Sequence, residues 1–232
     1  VDGGKLQCVD CHTTEQHNIS GKVYSLSSMN MNRNNCEQCH TETPHEDNIL
    51  NEHSIKVACQ SCHIPTYAKA NSTKMYWDWS TAGKLKNGEP YEEDDSLGNH
   101  TYLSIKGSFI WERNVIPDYI WFNGTASHYI EGDKIADTTK PLVLNQLHGS
   151  YSDEDSKIYP VKIHIAKQPY DPINKILIQP KLYADKKGEG AFWKDFNWQT
   201  ASEVGMKEAD LPFSGKISFI KTEMYWPVNH QV

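Results

Sequence analysis

Long apolar runs are missing from this 232-residue chain. None approaches the roughly 18 consecutive apolar residues that a membrane-spanning helix requires. The opening VDGGKLQCVD shows neither the basic nor the apolar stretch of a secretory signal. Apolar side chains are scarce, at 38% with a mean hydropathy of −0.68, which is low for a protein with a large aliphatic core. Basic charge is in deficit, with 23 Lys and Arg against 30 Asp and Glu and a net charge of −7. That argues against nucleic acid as a partner, which calls for a basic face. It argues equally against binding to an anionic membrane surface.

No cysteine stands alone. The 6 cysteines fall as Cys8/Cys11, Cys36/Cys39 and Cys59/Cys62, in the strings CVDCH, CEQCH and CQSCH. Each pair encloses two residues and is followed at once by His12, His40 or His63. This C-x-x-C-H pattern is the attachment signal of haem c. The two thiols meet the two vinyl groups on one haem edge, and the adjacent imidazole ligates the iron. Three other readings compete. A disulfide framework leaves the histidines unexplained. A zinc site over Cys36, Cys39, Cys59 and Cys62 has suitable spacing but strands Cys8 and Cys11. A thioredoxin-like dithiol needs one pair, not three. Histidine is 11 of the 232 residues. Its following all three pairs by accident has odds on the order of one in ten thousand, so the motif implies three haem c groups and their iron. Haem c is attached outside the cytoplasm, so the expected location is periplasmic or extracellular, with any leader removed.

The chain is lopsided. All cysteines and six of the histidines precede residue 68. The expected division is a three-haem region over 1–70, of short helices and loops around closely packed haems, and an irregular β-containing region over 71–232 with few helices. Ile-, Tyr-, Trp- and Phe-rich runs at 102–112, 116–124, 161–167, 176–183 and 216–226 predict strands. A hairpin is expected over 122–135, with turns at Asn123-Gly124 and Gly132-Asp133. A helix is expected over 195–209, capped by Asp195 and stopped by Pro212. Aromatic residues, 11% of the chain, suit packing against flat macrocycles.

Each iron has a second axial position. His17, His45 and His53 lie among the motifs and His230 lies near the end, so these four are the candidate distal ligands, giving bis-histidine irons. Met29 and Met31 are the methionines of the motif region. Four candidates for three irons leave two readings open: one of the four is simply exposed, or one distal histidine serves a haem outside the chain, either in a missing segment or in a head-to-tail copy propagating as a filament, a nanowire.

The strings VACQSCHIPTYAKANSTKMYWDWSTAGK, IWFNGT, KQPYDPINK, LPFSGK and TEMYWPVNH resemble the octahaem tetrathionate reductase family of multihaem c-type cytochromes. The resemblance implies a largely irregular fold organised by packed haems. It also implies histidine-ligated electron-transfer haems, at His12, His40 and His63 and with His17, His45, His53 and His230 opposite them. The family has eight haems, and its catalytic haem carries a lysine ligand upstream of the matching region. All three motifs here end in histidine, so the catalytic activity does not carry over. The expected function is electron transfer along three closely spaced haems, to other cytochromes or redox proteins or to neighbouring copies, rather than enzymatic turnover. The alternative is the central part of an octahaem reductase.

Overall fold

The structure, a computed structural model, describes residues 7–21 and 34–230. Met29 and Met31 lie outside them. Three elements carry the motifs. They are α1 (Cys8–Cys11), a 3-10 turn (Cys36–Gln38) and, after α2 (Asn48–His53), α3 (Cys59–His63). Between the first two motifs, β1 (Thr14–Glu15) and β2 (Asn18–Ile19) form a separate small hairpin.

The rest is a ten-stranded mixed sheet. Its strands are β3 (Thr73–Asp78), β4 (Glu92–Asp94), β5 (His100–Leu103), β6 (Gly107–Glu112), β7 (Asp118–Phe122), β8 (Ala126–His128), β9 (Leu142–Leu147), β10 (Lys157–Asp171), β11 (Ile176–Leu177) and, after α4 (Phe192–Asp195) and α5 (Trp198–Glu208), β12 (Ser218–Pro227). The order is β4-β5-β6-β3-β10-β12-β9-β8, with β7 and β11 also paired to β10. Strand β10 is the spine. It pairs antiparallel with β12 from Val161 opposite Pro227 to Tyr170 opposite Ser218, parallel with β3, and through Lys157–Pro160 with β7. Sheet neighbours in this region are therefore distant in sequence, and the β-branched and aromatic runs supply the side chains that such pairing favours.

The sparse apolar content is distributed over four buried clusters of three to six residues. Tyr159 and Val161 of β10 pack with Ala58, Phe122, Ala126 and Leu147. Ile64, Tyr67, Ala68 and Val228 form a second cluster. Ala58 and Ile64 flank the third motif, so α3 is fixed at both ends by the core. Before Ile64, Ala58 is the one buried residue among those described. Val9, Ile19, Ile49, Leu50 and Ile55 are exposed instead. The motif region has almost no side-chain core of its own.

Three local expectations need correction. The 195–209 helix starts later: Asn197 is the cap, its Oδ1 accepting from Thr200 N at 3.1 Å. Asp195 ends α4 and instead accepts from the amides of Gly188 and Gly190. The 122–135 hairpin does not form. Asn123 N donates to His148 O and its side chain to Asp153, so β7 turns toward β10 while β8 pairs with β9. The 176–183 run gives only Ile176–Leu177 as strand. Beyond it, backbone groups turn to α5, with Lys181 N donating to Ala201 O.

Candidate haem-attachment sites

Each motif forms one helical turn, and that geometry presents its chemistry. Residues three and four apart on a turn share a face, so the two cysteines and the following histidine point to one side. The turn closes on the histidine in the first two motifs: His12 N donates to Cys8 O at 2.8 Å and His40 N to Cys36 O at 2.9 Å. All six thiols are free; Cys59 is half-buried and the other five are exposed. The second and third motifs adjoin at Cys36 and Cys59, whose thiols influence one another. Cys36 reaches solvent on one side, yet burial of its sulfur and then the Cys59 thiol push its pKa up to about 11.

Two imidazole pairs stand out. His12 faces His230 with ring centroids 6.2 Å apart and planes 43° apart. His45 faces His63 at 6.2 Å and 17°. Two metal–nitrogen bonds of about 2 Å each, plus two imidazole ring radii of about 1.1 Å, span roughly 6 Å. Each pair therefore has the separation of two ligands on opposite sides of one iron.

Backbone anchors hold these rings. Ala58 N and Ser61 Oγ both donate to Ile158 O, fixing the turn that carries His63. Lys157 Nζ donates to Ser54 O at 2.7 Å and Ser54 Oγ to Asn51 O at 2.6 Å, fixing α2 beside it. Val228 N donates to Pro160 O, and the Tyr159 hydroxyl to Asn229 Oδ1, fixing the approach to His230. The first four residues of β10 are thus the frame for three of the four paired histidines.

The ring nitrogens are prepared for metal binding. His12 Nδ1 lies 2.7 Å from Ser20 O. A carbonyl only accepts, so Nδ1 carries the proton and Nε2 keeps its lone pair, as in metal-ligating histidines generally. Gly21, with φ +92°, brings the backbone against this ring; a Cβ there would stand 2.7 Å from His12 Cε1 and Nδ1. His45 Nδ1 is buried without a hydrogen-bond partner, which is costly for a ring nitrogen unless it serves a metal site.

Of the other candidates, His17 sits at the tip of the β1–β2 turn with φ +64°, exposed. His53 ends α2 and is exposed, as is His40. Among the described residues no imidazole faces any of these three. Nor do three or more His, Cys, Asp and Glu side chains gather as a metal cage. Sequence reasoning missed Ser20, Gly21 and Asn51, whose roles arise only from tertiary approach.

Helical turns offering two thiols and an imidazole, exposed apolar side chains around them and opposed imidazoles fit haem c, and define a multihaem c-type cytochrome. Residues 74–232 match the family described as bacterial cytochrome c, and residues 3–41 match that of cytochrome c554 and c-prime. The chain belongs to the bacterial cytochrome c family. The crystal structure of octahaem cytochrome c from Shewanella oneidensis is similar to it, with a TM-score of 0.87 and 44% identity over 100% of this chain and 52% of that one. The likeness makes this a multihaem cytochrome of the octahaem family, spanning about half the length of that structure. No curated protein matches the chain. No helix among the described residues is long and apolar enough to cross a membrane.

Proposed function

We propose that the chain carries three haem c groups and conducts electrons between them. Cys8/Cys11, Cys36/Cys39 and Cys59/Cys62 hold the three groups, with His12, His40 and His63 as proximal ligands. His230 ligates opposite His12, and His45 opposite His63. Bound haem supplies an iron that takes up and releases one electron. The protein holds the ligands in place on β10, orients the His12 tautomer through Ser20, and sets the second and third attachment points side by side at Cys36 and Cys59. Residues 1–70 are the haem-bearing part and 71–232 the scaffold. Haem attachment places the chain outside the cytoplasm, in the periplasm or beyond the cell, with other redox proteins as partners.

The observation that carries this reading is the pair of 6.2 Å imidazole separations, each including the histidine of a motif. Low-temperature electron paramagnetic resonance together with near-infrared absorption on the oxidised protein is the test. Low-spin bis-histidine signals from at least two irons are expected; a methionine-to-iron charge-transfer band or wholly high-spin iron would refute it.

Two finer readings have their own support. The chain spans 52% of an octahaem protein, which favours service as the central electron-transfer part of a larger octahaem reductase. Among the described residues His40 faces no imidazole, and His17 projects from a turn, which favours exchange of a ligand with a neighbouring head-to-tail copy. His230, by contrast, finds its opposite ring, His12, within the chain.

A further inference from the structure

We infer that Asn51 is a positioning residue for His45, a two-point clamp that sets the distal ligand opposite His63. The inference rests on the proposed His45/His63 ligation and deepens it. Asn51 Oδ1 accepts from His45 N at 3.0 Å, and Asn51 Nδ2 donates to His45 O at 2.8 Å. The side-chain amide thus occupies both backbone groups of one residue, as a neighbouring strand would. Among the described residues, His45 makes no backbone–backbone hydrogen bond. Its ring Nδ1 is buried without a hydrogen-bond partner, so that atom does not hold it either. The amide therefore ties the backbone of the ligand to α2.

That link runs to the same strand that holds the opposite ligand. Asn51 lies on α2, whose start is capped by Asp47 Oδ1 accepting from Ile49 N at 2.8 Å. Asn51 O accepts from Ser54 Oγ, and Ser54 O accepts from Lys157 Nζ. His63 lies on α3, whose Ala58 N and Ser61 Oγ reach Ile158 O. Consecutive residues of β10 therefore reference the two imidazoles, and Asn51 is the last joint on the His45 side. Only an amide meets both demands. A carboxylate accepts but cannot donate, and a methyl does neither.

The clamp acts on the ligand, not on the iron, so its loss loosens His45. Two hydrogen bonds of this kind correspond to a change on the order of ten- to a hundredfold in an equilibrium constant. The experiment uses the haem-loaded full chain, reduced, with carbon monoxide as the probe for an iron that has lost an axial histidine. The variants are Asn51→Ala, Asn51→Asp and His45→Ala. His45→Ala should bind one more carbon monoxide per chain than the parent. Asn51→Ala should bind it at the same iron, with the apparent affinity raised ten- to a hundredfold over the parent. Asn51→Asp, which keeps the acceptor and loses the donor, should fall between. Added imidazole should restore the low-spin spectrum in both Asn51 variants. The Asp variant is nearly isosteric, so it decides the matter if the Ala variant does not accumulate. Parent-like carbon monoxide binding in the Asn51 variants, with a clear gain in His45→Ala, overturns the clamp and leaves the ligation standing. No gain in His45→Ala overturns the ligation itself, and the clamp with it.

Discussion

Replacing Gly21 by alanine isolates how the protein seats the first iron ligand. Gly21 has φ +92°, so an added side chain is strained by about 1 kcal/mol before it touches anything. Its Cβ would stand 2.7 Å from two atoms of the His12 ring, about 0.7 Å short of ordinary contact. The ring cannot retreat by that much and keep both the 2.7 Å hydrogen bond to Ser20 O and a metal bond of about 2 Å. The hydrogen-bond loss weakens His12 ligation by about 1 kcal/mol, roughly fivefold. Gly88→Ala is the matched control, with φ +82° and nothing within 4 Å of the added Cβ, so it carries the backbone strain alone. The assay is the fraction of high-spin or carbon monoxide-binding iron in the reduced protein. Gly21→Ala should create such a fraction and Gly88→Ala should not. A parent-like spectrum for Gly21→Ala would refute the seating argument.

Further outcomes follow from the scaffold. Asp171 is fully buried, which opposes its charge, but amides of Ile173, Asn174 and Ser214 and side chains of Asn174 and Ser214 donate to it and hold its carboxyl down at about 2. A depressed folded value stabilises above the unfolded value of 3.8 and is lost as pH falls through about 2. Asp171→Ala should therefore cost about 2 kcal/mol at neutral pH by denaturant titration, and its deficit against the parent should shrink toward pH 2. Gly205 lets α5 lie against the 179–181 backbone, where an added Cβ would collide with Gln179, Pro180 and Lys181. Gly205→Ala should lower thermal stability by about 3 kcal/mol while leaving haem attachment unchanged, since this contact lies on the scaffold.

The motif residues were legible because thiol spacing and an adjacent histidine are properties of one turn of chain. The strands of the spine were legible for a similar reason: the runs at 161–167 and 216–226 carry their β preference locally, and they pair along almost their whole length. Pairing itself was not legible. His12 meets His230 only because β12 returns along β10 and delivers Val228 and Asn229 to Pro160 and Tyr159. The Asn123-Gly124 signal misled because the turn residue had better partners, His148 O and Asp153, than a hairpin offers. Asp195 misled because two glycine amides lay closer to hand than the helix start. Asn51 and Gly21 gave no signal at all, since neither type marks a clamp or a seat until the fold brings it to a histidine.

Three covalent haems underlie the proposed electron transfer. Their most direct test is a peptide map of the denatured protein after acid–acetone extraction. Haem should stay with the protein, and three separate peptides, bearing Cys8/Cys11, Cys36/Cys39 and Cys59/Cys62, should each carry one haem mass. Haem released into the solvent, or any of the three peptides recovered with both thiols free, would contradict it.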